Sequence, residues 1–336
     1  MSLEISCIAK EAPLVVYLHC VLEVRLGNVF RTQWVAGQEA GLCVVSRIRT
    51  QVDRHRRNPT DFPCARSPEP SLEFTGLSAK LIEPKKDQIL RFCAQDPVER
   101  VFLEDVARRG LGRFVGRLEG RELLALCHMG VNVVPSGDGC GAFARDVAGA
   151  APRMLIGEAR AVSELWQEAR SRLPRPREDR PGQPVFVIRE SPSGGDTGLR
   201  PARLDDLELL MPACAAAHEE ELGIDPMQRD PEGFRWRTRT QIEEGRSWLW
   251  AEDGVILFKA EASAWTPWAV QLQQVWVDPE ARQQGNGARG LSDLCRLLLE
   301  RVPIVCLFVR SENEAAIRLY ETIGMAHVLD YRSILL

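Results

Sequence analysis

The stretch that most constrains this chain is Val275–Gly287, reading V-W-V-D-P-E-A-R-Q-Q-G-N-G. A β-branched and aromatic run stops at Asp278–Pro279. Arg282-x-x-Gly285-x-Gly287 then opens an amphipathic segment with Leu291, Leu294, Cys295 and Leu298 at helical spacing. Strand, proline, basic residue, two glycines and helix follow in that order. Gly285 and Gly287 let the backbone turn tightly and approach a ligand without Cβ obstruction. Successive N–H groups running into a helix N-terminus form a cradle for a diphosphate. An ordinary strand-to-helix turn is the competing reading.

A second motif lies about 25 residues further on. Leu307-Phe-Val-Arg-Ser-Glu-Asn313-Glu-Ala-Ala316-Ile-Arg-Leu319-Tyr320-Glu-Thr-Ile-Gly324 reads as strand, capped helix and glycine stop. Ser311-x-x-Glu314 fits a capping box. Asn313 and Tyr320, seven apart, fall on one helical face.

The two motifs together resemble the GNAT superfamily of acyl-CoA N-acyltransferases over roughly 197–336. What the resemblance implies is specific. The pantetheine arm of acetyl-CoA lies along Val275, Trp276 and Val277. The backbone of Arg282, Gln283, Gln284, Gly285, Asn286, Gly287 and Ala288 holds the diphosphate. Asn313 bonds to the cofactor arm, and Tyr320 is the general acid for the departing thiolate. A buried core tyrosine is the plain alternative for Tyr320. Some members that acetylate lysine carry a Glu on the strand before V-x-V. Gln271 stands there and cannot accept a proton. Glu261, in Lys259-Ala-Glu261-Ala, is the local substitute base. A carboxylate merely paired with Lys259, or a water chain with no single base, stays open beside it.

His218-Glu219-Glu220-Glu221-Leu222-Gly223 falls where the resemblance places the acceptor site. Its carboxylates would attract a cationic amine, or simply form a solvated helix face. Trp236, Trp248, Trp250, Trp265, Trp268 and Trp276 crowd this half, mostly as packing, with one or two as walls of an acceptor channel.

The expected fold class is α/β (α+β), as two tandem GNAT-like domains, each a mixed, mostly antiparallel sheet flanked by helices. Strand, hairpin, strand, helix, strand and helix occur twice. The expected divisions are a poorly ordered extension at 1–70, a degenerate GNAT-like domain at 71–190 and a catalytic domain at 197–336. Asp96-Pro97-Val98-Glu99-Arg100-Val101-Phe102-Leu103 looks like the N-terminal hallmark of a tandem family typical of actinobacteria. Within 1–70, Arg47, Arg49, Arg54, Arg56 and Arg57 precede a Pro-rich run. A basic arm for an anionic partner and an early start codon would both look like this. Pro97–Arg109 reads as a helix, Leu173–Pro184 as a connection or exposed loop, and the end of the chain as two strands. In the first domain, Ser136-x-x-Gly139-x-Gly141 repeats the glycine spacing. Ser136 replaces the basic residue there, and Asp138 would repel a diphosphate. A relic with a packing role is expected, against an independent ligand site.

The chain has 336 residues, 45% apolar and 27% charged, with a net charge of −4. Those values fit a globular two-domain protein and give no reason to expect nucleic acid. Ten cysteines occur without a C-x-x-C pair, so neither a metal site nor a disulfide framework is expected. No stretch reads as a membrane span or secretory leader. Reduced thiols and a cytoplasmic location are expected. The whole reads as an acetyl-CoA-dependent N-acetyltransferase acting on a primary amine. The alternatives are a non-catalytic acyl-CoA sensor or a protein-interaction scaffold with the same fold.

Overall fold

The computed structural model describes residues 80–336. The expectation for 1–70 and the start of the first domain lie outside the described residues. The first half contains β1 (Lys80–Ile82), α1 (Lys86–Cys93), α2 (Val101–Arg108), β2 (Arg113–Glu119), β3 (Glu122–Met129), β4 (Asn132–Gly137), α3 (Ala144–Ala150), β5 (Met154–Glu158), α4 (Ala159–Ala169) and β6 (Glu178–Ile188). The second half contains β7 (Arg200–Pro201), α5 (Leu207–Leu222), α6 (Pro226–Arg229), α7 (Pro231–Glu243), β8 (Ser247–Glu252), β9 (Val255–Trp265), β10 (Val270–Val277), α8 (Asn286–Leu299), β11 (Val305–Phe308), α9 (Glu314–Thr322) and β12 (Ala326–Leu335).

These strands form one mixed sheet in the order β1-β2-β3-β4-β5-β12-β6-β11-β10-β9-β8-β7. Its pairings are antiparallel except β4 with β5 and β10 with β11. Helices flank it, as expected for this class. The centre of the sheet is an exchange. β6 leaves the first half and pairs with β11 through Val185–Ile188. β12 ends the second half and pairs with β5 through Tyr331–Leu335. The two exchanged strands also pair with each other.

Alternation along β6 explains why it holds this place. Successive strand side chains point to opposite faces. Phe186 and Ile188 enter the core that α8 and α9 cover, with Leu291, Leu294, Leu298 and Tyr320. Val185 and Val187 enter a second core with Val98, Val101, Cys306 and Tyr331. On the opposite face of the second half, α5 and α7 bury Leu210, Cys214, Phe234 and Ile242 against Leu249, Ile256 and Trp276. A buried bidentate pair, Arg246 to Asp105 at 2.8 and 3.1 Å, ties the start of β8 to α2. The Tyr331 hydroxyl donates to the Glu99 carbonyl at 2.8 Å.

Three local expectations are corrected. Leu173–Pro184 is not only a connection, because β6 begins at Glu178. Its first residues are polar and give no apolar alternation. Backbone pairing with β12 and the Arg332–Asp179 ion pair hold them instead. The last segment is one strand with register shifts rather than two. The helix expected from Pro97 starts at Val101, because the Asp96 carboxylate captures the Val98 and Glu99 amides in a turn.

The exchange predicts that a chain piece spanning 197–336 will not fold cooperatively. It lacks β6, so β11 loses its partner and the α8–α9 core loses Phe186 and Ile188. Thermal unfolding by circular dichroism checks this. A sharp transition with native-like ellipticity from that piece alone would contradict it.

Candidate active site

The site begins where two parallel strands separate. β10 and β11 pair only at Val270–Val305 and Gln271–Cys306. From Leu272 onward β10 pairs with β9 alone, so the edge that faced β11 has no strand against it. A bulge between Gln273 and Trp276 bends this segment further. Gln274 sits there at φ +49°, a left-handed conformation costly for a residue with a Cβ. Val275, Trp276 and Val277 therefore line an open wedge. Trp276 is buried, and its indole N–H donates to Glu220 at 3.2 Å.

The loop after β10 is tied down by side chains. Asp278 accepts from the Glu280 amide at 2.9 Å. The Arg282 guanidinium grips both Glu220 oxygens, at 2.7 and 2.9 Å, and its Nε donates to the Val277 carbonyl. Asn286, buried, donates to the Ala281 carbonyl at 3.0 Å. Gln284 donates to the Glu280 carbonyl. Gly285 turns the chain at φ +80°, and a Cβ there would meet nothing within 4 Å. Gly287 is tighter, with Leu319 at 3.3 Å and Val277 at 3.4 Å from such an atom.

The first backbone bond into α8 is Arg289 N–H to the Gly285 carbonyl, at 3.0 Å. The amides of Gln283, Gln284, Gly285, Asn286, Gly287 and Ala288 precede it and meet no backbone acceptor. Orphan amides and the positive end of a helix dipole coincide here, which is the geometry that receives a diphosphate. These residues fit the diphosphate of an acyl-CoA.

The first half supplies the contrast. β4 also leaves β5 after two pairings, at Asn132–Met154 and Val133–Leu155. Its register with β3 runs without a bulge. The Gly139 and Cys140 amides both donate to one oxygen of Glu164 on α4, at 2.9 and 3.0 Å. This loop already holds an anion, and the anion is its own side chain. Asp138 next to it is paired with Arg160.

Tyr320 on α9 is buried, with its ring tilted against Phe186 at 5.6 Å between centroids. Burial, and then the nearby Glu221 charge, push its phenol above the ordinary range, so it stays protonated. Asn313 does not stand on the helical face of Tyr320. It is the N-cap itself, accepting from the Ala316 amide at 3.1 Å, and α9 starts after it. Ser311 instead donates to Glu312, so the capping box expected there is absent. Both residue types cap well, and sequence alone does not choose between them.

Glu261 is fully enclosed beneath α5 and α7. It accepts from Lys259 at 3.1 Å, Cys214 at 3.5 Å, Gln273 at 3.3 Å and Gln241 at 3.4 Å. Burial raises its pKa, but Lys259 and Arg237 outweigh that and bring it down to about 2. A carboxylate so acidic and so fully bonded is a poor proton acceptor, and the expected role as base does not fit this geometry. Gln271 is committed to the Ser263 hydroxyl at 2.9 Å. Of the acidic run, Glu220 is committed to Arg282 and Trp276. Lys259, Gln274 and Arg237 escaped sequence reasoning as site residues. The adjacent polar pair Gln273–Gln274, which breaks the V-Q-L-Q alternation of 270–273, was the signal of the bulge. Among the described residues no group of His, Cys, Asp and Glu could hold a metal ion, and no helix is long and apolar enough to cross a membrane.

Residues 211–325 match the family model described as Acetyltransferase (GNAT) family, and residues 112–210 match a domain of unknown function, DUF4081. A comparison with curated proteins gave no match. Among solved structures, a Drosophila protein has 12% identity and a TM-score of 0.52, over 76% of this chain and 98% of that one. A GNAT-family acetyltransferase from Colwellia psychrerythraea has 12% identity and a TM-score of 0.47, over 77% and 99%. A predicted acetyltransferase with acetyl-CoA from Clostridium acetobutylicum has 18% identity and a TM-score of 0.33, over 39% and 90%. The Drosophila likeness bears on the fold alone.

The Glu164 contact predicts that Glu164→Ala will destabilise the chain by about 1 kcal/mol, the usual worth of a carboxylate that satisfies orphan amides. Acetyl-CoA affinity should not change, since that loop lies in the other half. Denaturant unfolding with and without acetyl-CoA checks both parts, and a loss of affinity in this variant would contradict the assignment. The matched segments and the two glycine loops lead to one conclusion: the chain carries a GNAT-family acetyltransferase domain in its second half, preceded by a DUF4081 domain.

Proposed function

We propose that the chain is an N-acetyltransferase that moves an acetyl group from acetyl-CoA directly to a primary amine. The observation that carries this reading is the row of six unpaired amides, 283–288, placed where β10 has parted from β11. Acetyl-CoA would supply an activated thioester at this wedge. The amides of 283–288 bind the diphosphate. The free edge of Val275–Val277 aligns the arm as an added strand would, and the spare amide nitrogen of the Asn313 side chain is free to bond to it.

Tyr320 donates its phenolic proton to the departing sulfur. Burial suits it to that role by keeping the phenol protonated at any working pH. Glu261 holds Lys259 and the bulge residue Gln273 in place, and water carries the amine proton away. The six described cysteines are buried and unpaired, which fits a reducing compartment, and we place the protein in the cytoplasm.

Two variants test the reading. Tyr320→Phe keeps the ring against Phe186, so the melting temperature should hold while kcat falls by roughly 10²-fold. Acetyl-CoA affinity should hardly move. Gly285→Val forces a Cβ into a left-handed backbone, which should abolish the rise in melting temperature that acetyl-CoA causes. Full turnover by Tyr320→Phe with an amine that the wild type acetylates would make Tyr320 a packing residue and remove the assigned acid.

A further inference from the structure

Beneath α5 and α7 lies a charge that the protein does not satisfy. Arg237 on α7 is 7% exposed, and its Nε, Nη1 and Nη2 are buried without a hydrogen-bond partner. Its guanidinium lies over the Phe234 ring at 4.8 Å. The nearest ion-pair contact is Glu261 Oε2, at 3.8 Å, too long for a hydrogen bond. His218 on α5 packs on the same Phe234 ring, at 6.0 Å, and its Nε2 is buried without a partner. Gln241 Oε1 is a fifth such atom, on the side chain whose Nε2 reaches Glu261.

No neighbouring group accepts a hydrogen bond from Arg237. Lys259 and Glu261 are 3.1 Å apart and neutralise each other. Burial holds His218 neutral, with its pKa lowered to about 4, and burial keeps the Cys214 thiol protonated at about 11. Gln241, Gln273 and Gln274 carry no charge. Glu219 and Glu220 at the end of α5 are exposed, and Glu220 is held by Arg282. Burial pushes the Glu221 carboxyl up, and Glu221 lies within electrostatic reach of Arg237 and Lys259 without hydrogen-bonding to either. Arg237 is thus a buried cation with no hydrogen-bonded carboxylate. A buried charge without a hydrogen-bonded counterpart is costly, and water alone would leave it uncompensated. A planar guanidinium edge matches a carboxylate through two parallel bonds, and a neutral imidazole N–H beside it adds a third donor.

We propose that Arg237 and His218 form a buried carboxylate-binding site, and that the carboxylate belongs to the amine acceptor, making the acceptor an amino acid or a similar amino-carboxylate. The second half of this statement rests on the reading of the chain as an N-acetyltransferase. The site lies one side chain behind the bulge. Glu261 joins it to Gln273, and Lys259 joins Glu261 to Gln274 at 3.1 Å.

The full chain should be melted in sodium formate and in sodium chloride at matched ionic strength. Formate should raise the wild-type melting temperature saturably above chloride, and Arg237→Met should lose the difference. Arg237→Lys should keep only part of it, since an ammonium cannot bind a carboxylate in two-pronged fashion. Equal melting in both salts by the wild-type chain would overturn the site without recourse to any variant. L-α-amino acids beside their decarboxylated amines then identify the source. A larger shift for the carboxylated member of each pair, lost in Arg237→Met, supports the acceptor assignment. A shift with formate but none with any amino acid overturns that half and leaves a free anion. No release of CoA thiol with any amine, despite the shift, contradicts the N-acetyltransferase reading and leaves the carboxylate site standing.

Discussion

Two parallel strand pairings, each only two residues long, govern both halves of this protein. A parallel pair normally runs on under cover of its crossover helix. Here β10 parts from β11, and β4 from β5, almost at once. Each parting opens a wedge in the sheet with a helix N-terminus at its end. What fills each wedge decides what each half can do. In the first half the loop amides close on Glu164. In the second the amides remain unpaired, and the strand beside them carries the bulge at Gln274. The same scaffold thus presents one satisfied and one unsatisfied anion cradle.

The exchange of β6 and β12 makes these halves interdependent. Each wedge is bounded on its far side by β5 or β11, whose other edge pairs with a strand that the other half contributes in sequence. β6 carries Phe186, whose ring lies against Tyr320, so the position of the proposed acid depends on residues well before its own domain match begins. The Arg246–Asp105 pair and the Tyr331–Glu99 contact add polar ties across the same boundary. Through β6 the first half braces β11 and the wedge beside it.

What the sequence revealed follows from the range of the interactions involved. The order of elements and the glycine loop are local, and they were legible. Strand, Asp-Pro turn, glycines and amphipathic helix all leave short-range marks, and Gly285 does adopt the left-handed backbone its position suggested. The pairing of Glu261 with Lys259 was also legible, because residues two apart on a strand share a face. The strength of that pairing was not, since Arg237, Gln241, Gln273 and Cys214 arrive from other elements. The polar start of β6 showed no alternation, and the strand exchange is a matter of register that no window of sequence contains. Glu164 reaches its loop across 25 residues, and only the fold shows that it takes the place of a ligand.

The central claim is that one of two similar cradles is open and the other is closed by the chain itself. Calorimetric titration of the full chain with acetyl-CoA tests it most directly. The account predicts a single site per chain, lost in Gly285→Val and unchanged in Glu164→Ala. Two equivalent sites, or binding that survives Gly285→Val, would contradict it.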